Sequence, residues 1–205
     1  MGRPRLHDET TERELLDAAE RLLAEGGADA LSVRRLAEAA GTTPRAIYSV
    51  FGGKDGLLRA LFREAFYALT AILDGQARTD DPLADLVAAG VSGFRDWARS
   101  HPALFRLVFE GAAAPVQPSD SEAGTEAFGR LLARVRRCID AGVLRHGPEL
   151  EVALSFHAMC EGLASLEARG RFPLFVGQDP LAVWDSALRA VVNGYRPGAG
   201  PMKRS

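Results

Sequence analysis

Between Ser32 and Lys54 the chain gathers groups suited to phosphate oxygens and base edges: Arg34, Arg35, Thr42, Thr43, Arg45, Ala46, Tyr48, Ser49 and Lys54. An arginine fork matches guanine O6 and N7, a small methyl such as that of Ala46 meets the thymine methyl, and hydroxyls and lysines reach phosphates. In this stretch Arg34, Arg35, Arg45 and Lys54 stand against a single carboxylate, Glu38. The whole chain carries a net charge of −2, so only this local balance points to a polyanion. An acidic run precedes it (Asp8, Glu9, Glu12, Glu14, Asp17, Glu20, Glu25, Asp29), with Arg3 and Arg5 ahead of that run.

The other chemistry-bearing residues form no catalytic pattern. His7, His101, His146 and His157 make no HExxH motif and no cysteine–histidine spacing for a metal, and neither a GxSxG elbow nor a glycine-rich phosphate loop is present. His157 and Glu161 are one helical turn apart, but two ligands on one helix do not make a metal site. Cys138 and Cys160 sit in apolar helical patterns and read as buried free thiols of a reducing compartment. The expectation is a chain that is not an enzyme, with no cofactor and no metal. No apolar run approaches the roughly 20 residues of a membrane span. The first residues lack the apolar segment of a secretory signal, so a cytoplasmic protein is expected.

With 205 residues, 47% of them hydrophobic, the chain can bury a core, and every element that could position the candidate residues reads as a helix. Leu15, Ala18, Ala19, Leu22 and Leu23 form the stripe of a first amphipathic helix, stopped by Gly26-Gly27. Ser32 caps a second, whose stripe is Val33, Leu36, Ala37 and Ala40, closed by Gly41. Thr43 caps a third with Pro44 at its first position, and Gly52-Gly53 ends it. A longer helix runs from about Lys54 to Gln76. Prolines 82, 102 and 180 open three more, and two others fall at about 121–141 and 148–169. Residues 111–120 read as a loop and 196–205 as a frayed tail. The sequence predicts an all-α fold of about nine helices.

The second and third helices, joined across Gly41, Thr42 and Thr43, have the lengths of a helix-turn-helix over 32–51. At 100° per residue, setting Ile47, Val50 and Phe51 against the core points Thr42, Arg45 and Ser49 nearly opposite, with Ala46 and Tyr48 on the flanks. Short amphipathic helices split by glycine also occur in ordinary bundles with a solvated arginine, so geometry alone leaves both readings open.

Residues 10–60 closely resemble the N-terminal domain of TetR/AcrR-family regulators. The matching segments are Leu15 to Leu23, Gly26, Leu31 to Ala37, and above all Gly41 to Leu57, where Tyr48, Phe51 and Lys54 fall on the family's Tyr-x-x-Phe and Lys positions. The resemblance implies that Tyr48 and Lys54 clamp phosphates, that Thr42, Thr43, Arg45 and Ala46 face the groove, and that Phe51 is core. Arg3 and Arg5 are either a minor-groove arm or a disordered tail. The candidate DNA-binding set is then Arg3, Arg5, Ser32, Arg34, Thr42, Thr43, Arg45, Ala46, Tyr48, Ser49 and Lys54. Two departures stand out. Thr42 replaces a common valine, and Gly53 and Gly56 are expected to soften the start of the fourth helix by about 0.5–1 kcal/mol each. Such softness is a candidate aid to switching, since in this family that helix links the DNA-reading and ligand domains.

Residues 81–110 and 148–170 resemble more weakly one C-terminal branch of the same family, through His101 to Phe109 and Gly162 to Glu167. Where that branch has Trp and His-Gly, this chain has His157 and Glu161-Gly162, so no ligand chemistry of that histidine is carried over. The resemblance implies a homodimer through helices at about 148–169 and 180–193, whose small residues permit close approach. It also implies a palindromic operator in double-stranded DNA, and repression relieved by a small-molecule effector. Phe94, Trp97, Phe105, Phe109, Phe128, Met159 and Glu161 are candidate pocket residues, although such stripes are more often core. Glu161 would recognise a cationic or donor-bearing ligand or pair with an arginine across the dimer. The expected division is an N-terminal arm and DNA-binding domain over 1–54, a ligand and dimerisation domain over 55–195, and the tail. A helical adaptor would explain the bundle but not the Tyr48–Lys54 constellation.

Overall fold

The computed structural model describes residues 5–111, 122–171 and 179–198, with the side chains of 5–10 left aside. Arg3 and nearly all of the expected loop and tail lie outside the described residues. The elements are α1 (Arg5–Ala30), α2 (Val33–Ala39), α3 (Pro44–Phe51), α4 (Lys54–Asp74), α5 (82–100), α6 (102–110), α7 (Glu122–Asp140), α8 (Glu149–Ala168) and α9 (Pro180–Asn193). Among the described residues the fold is all helical, as the sequence predicts. No helix among them is long and apolar enough to cross a membrane.

Contacts gather the chain into two compact units. The first is Met1–Tyr67 with His101–Thr125, and the second is Ala68–Ser100 with Glu126–Ser205. The division falls inside α4 rather than at residue 54, because the segment that opens α6 packs on α1. The core of the first unit joins Leu15, Ala19 and Leu22 of α1, Leu36 of α2, Ile47 of α3, Leu57 and Leu61 of α4, and Leu104 and Phe105 of α6, all buried. The expected break in α1 is present: Gly26 leaves helical geometry and Gly27 takes φ 67°. The helix begins ten residues before its apolar stripe, at Arg5, so Arg5 opens a helix rather than ending an extended arm. Ion pairs line the helix around the start of its stripe. Arg13 bridges to Asp17 at 3.2 Å and to Glu64, and Arg63 reaches Glu12 at 2.8 Å.

In the second unit α5 is not uniform. Its middle, Ala89–Arg95, is π-helical, as is Arg106–Glu110 of α6 in the first unit. Close packing accompanies this widened turn. A Cβ on Gly90 would come within 2.4 Å of Leu188 and 3.1 Å of Cys160, and one on Gly93 within 2.8 Å of Leu73. The same segment carries Arg95 inward, where it is buried. The Glu167 carboxylate accepts from Arg95 Nε at 2.9 Å and Nη2 at 2.7 Å, from Arg99 at 2.8 Å and from the Trp184 indole at 3.0 Å. One carboxylate thereby ties α5, α8 and α9 together. A second buried acid, Asp85, accepts from Arg137 at 2.8 Å and from the Thr79 backbone and hydroxyl, each at 2.8 Å.

Cys138 and Cys160 are buried free thiols, as expected. Burial pushes the Cys138 thiol up to about 11 and the Cys160 thiol higher still. Neither thiolate is populated at neutral pH, and both thiols should react with a disulfide reagent only as the chain unfolds. Stoichiometric labelling of the native protein within seconds would contradict this.

Candidate nucleic-acid interface

The short helices α2 and α3 are held by local hydrogen bonds that the sequence makes legible. Ser32, with extended backbone, accepts the Arg35 N–H on its hydroxyl at 3.2 Å and caps α2. Gly41 takes φ 63°, and the next N–H, that of Thr42, bonds back to the Ala37 carbonyl at 2.9 Å. Thr43 caps α3 by accepting the Ala46 N–H at 3.3 Å, Pro44 follows at the first position, and left-handed Gly52 closes it.

Ile47 is wholly buried and fixes the inner side of α3. On the outer side Arg45 and Ser49 are exposed, and Tyr48 is 57% exposed. Thr43 and Pro44 at the start of the helix and Lys54 at the start of α4 are exposed as well. Ala46, Val50 and Phe51 are half-buried. Thr42 stands in the turn ahead of this face. It is half-buried, because it lies in the turn before the helix begins and its backbone is drawn back toward α2, where a 100° spacing no longer applies. Arg34 is exposed and pairs with Glu38 at 3.1 Å. Arg35, counted in the local charge but not in the candidate DNA-binding set, is exposed beside it. Most of the expected set is thus brought to two adjoining short helices, with Arg3 outside the described residues.

Gly56 has a part beyond the one its residue type suggested. A Cβ there would stand 1.6 Å from the carbonyl oxygen of Phe51. The glycine lets the start of α4 approach the last carbonyl of α3, a steric requirement that comes in addition to its weak helix propensity. Gly53, at φ 127°, lies under the Tyr48 ring, which a Cβ would meet at 3.4 Å.

The seven candidate pocket residues separate between the units. In the first, Phe105 packs at 5.5 Å from Phe109, and Phe109 meets Phe66 edge-on at 6.2 Å. In the second, Phe94 lies 5.9 Å from Trp97 and edge-on to the His157 ring at 5.8 Å, and Phe128 is edge-on to the same ring at 6.2 Å. Trp97 and Phe105 are fully buried core, while Phe128, Met159 and Glu161 are half-buried. Glu161 comes within 3.7 Å of His157 Nε2, and burial lowers the pKa of that imidazole, favouring its neutral form. Among the described residues no group of three His, Cys, Asp or Glu side chains gathers as a metal site.

Two family models match the chain. "Bacterial regulatory proteins, tetR family" covers residues 15–61, and "Tetracyclin repressor-like, C-terminal domain" covers residues 87–191. The HTH-type transcriptional regulator Rv1816 of Mycobacterium tuberculosis is 30% identical over 152 residues, 71% of this chain and 64% of the relative. Mb1846 of Mycobacterium bovis, another HTH-type transcriptional regulator, matches to the same extent, so the chain spans less than two thirds of these relatives' length. A protein of unknown function from Rhodococcus sp. RHA1 superposes with TM-score 0.78 at 27% identity, covering 91% of this chain and 96% of that one. The TetR-family regulator PfmR from Thermus thermophilus shares the fold, with TM-score 0.66 at 21% identity over 89% of this chain and 99% of its own. Matched by models over both its helix-turn-helix and its C-terminal helices, the chain belongs to the TetR family of DNA-binding transcriptional regulators.

Proposed function

We propose that the chain is a cytoplasmic repressor that grips a palindromic operator as a homodimer and leaves it when a small molecule binds. The observation that carries the DNA part of this reading is the open polar side of α3, with Arg45, Tyr48 and Ser49 exposed on a helix anchored by wholly buried Ile47. An α-helix fits the major groove, and these side chains have the chemistry of base edges and phosphates. Arg45→Ala is expected to weaken operator binding by about 1–3 kcal/mol and to relax preference at one base pair. Lys54→Ala should weaken binding to all duplexes alike and reduce the salt slope by about one contact. Anisotropy titrations on operator and scrambled duplexes separate the two. Full operator affinity in both variants would remove the reading.

Support for the dimer is a row on α8. Leu150, Leu154, Ala158, Gly162 and Leu166 recur every fourth residue and are all exposed, and Leu181 and Ala182 are exposed at the start of α9. Four-residue ridges with small members suit close helix pairing. The occupant is a second copy, because a two-fold pair presents two reading helices to two half-sites. Leu154→Glu should give a monomer by sedimentation and lower operator affinity about 100-fold, since the second half-site contact is lost. A dimer of unchanged strength would refute this surface. For release, the ligand must favour one conformation over the other, and the half-buried Phe128, Met159 and Glu161 remain the candidates for meeting it.

A further inference from the structure

We propose that Glu38 sets the specificity of the duplex-facing surface. It holds Arg34 in the free protein and lowers the attraction of α2 and α3 for phosphates of any sequence. The inference rests on the DNA-reading surface proposed above and adds a residue that opposes binding. Three observations carry it.

Glu38 is the sole carboxylate between Ser32 and Lys54, a stretch with four cations. Its oxygen lies 3.1 Å from Arg34 Nε, and the two side chains are 64% and 87% exposed, so both are open to an approaching duplex. The pair is also placed against the helix dipole. Arg34 sits in the first turn of seven-residue α2 and Glu38 in its last, whereas a helix favours acid at its start and base at its end. Complementarity to the helix dipole therefore does not account for this carboxylate, the exposed pair stabilises α2 only slightly, and its electrostatic effect falls on whatever Arg34 and Arg35 face.

A phosphate that engages Arg34 must compete with Glu38 and approach its negative charge. That penalty is the same for every sequence, while the contacts of α3 that offset it exist only on the operator. Non-cognate binding is weakened, and the operator retains its hold through base contacts.

The test measures full-length wild type, Glu38→Gln, Arg34→Gln and the double variant against an operator selected from random duplexes and against a scrambled duplex, over a salt series. Glu38→Gln is expected to bind the scrambled duplex about 3- to 10-fold more tightly, with a salt slope steeper by about one unit as Arg34 becomes a full phosphate contact. Its ratio of operator to scrambled affinity should fall. In the Arg34→Gln background the same change should shift affinity less than about 2-fold, because the positioning partner is gone. Unchanged scrambled affinity in Glu38→Gln, or an equal gain in both backgrounds, overturns the proposal. A wild type that binds no duplex instead defeats the DNA-reading surface itself, and this inference with it.

Discussion

A Glu167→Ala chain is expected to melt roughly 6 to 12 °C below its parent, from a loss of about 3 kcal/mol. Four hydrogen bonds end on this one carboxylate, and the side chain is largely buried. Removing it leaves the buried Arg95 guanidinium with only the exposed Asp96 carboxylate, 3.7 Å away, and the Trp184 indole N–H without its acceptor. The cost comes mainly from that poorly compensated buried charge, so it should shrink in an Arg95→Met background, and a double-mutant cycle would expose the coupling. Burial alone would push the Glu167 carboxyl up. The Arg95 hydrogen bonds and charge, then Arg99 and Trp184, outweigh this and hold it below its ordinary value of 4.5. A carboxyl with a depressed folded-state pKa stabilises fully above its unfolded value and loses that contribution as pH falls through the folded one. The wild type should therefore lose this increment below about pH 4.5, while the alanine variant has nothing to lose there. Equal melting temperatures at pH 7 would mean the cluster is an ornament.

The second large effect is at Gly56. Alanine is normally a better helix former than glycine by about 1 kcal/mol, and at Gly129, where a Cβ meets nothing within 4 Å, Gly129→Ala should stabilise by about that amount. Gly56→Ala should do the opposite. Its methyl would collide with the Phe51 carbonyl, so either the chain loses about 2–3 kcal/mol to overpacking or the end of α3 moves. Because Phe51 closes the candidate reading helix, both results lower operator affinity. The pair of variants, compared by thermal melting and duplex titration, gives opposite signs for one chemical change. A stabilised Gly56→Ala that binds the operator normally would show that the α3–α4 junction is not set by this contact.

What was legible in the sequence was local. Thr43-Pro44 and Gly52 mark the ends of α3 because caps, a first-turn proline and a left-handed glycine act within a few residues of one another. The outer face of α3 followed from 100° spacing once Ile47, Val50 and Phe51 were set inward, although only Ile47 is fully buried. The same rule does not reach Thr42, which precedes the helix, and said nothing of the π-helical turn that carries Arg95 inside. The partner of Arg95 lies 72 residues away, and no spacing announces it. The close approach at Gly56 was not legible for a related reason: propensity sees only its own helix, whereas the obstacle is the backbone of the preceding one. Glu38 was visible as a lone acid among bases, but its hold on Arg34 needed the geometry of α2.

The most direct test of the account is the affinity of the wild-type protein for a pool of random duplexes as salt is raised, followed by sequencing of what it retains. An outward-facing α3 predicts tight, salt-sensitive capture and enrichment of a two-fold symmetric sequence, its halves about one helical turn apart. Failure to retain any duplex at low ionic strength, or retention with no sequence enriched, would contradict it.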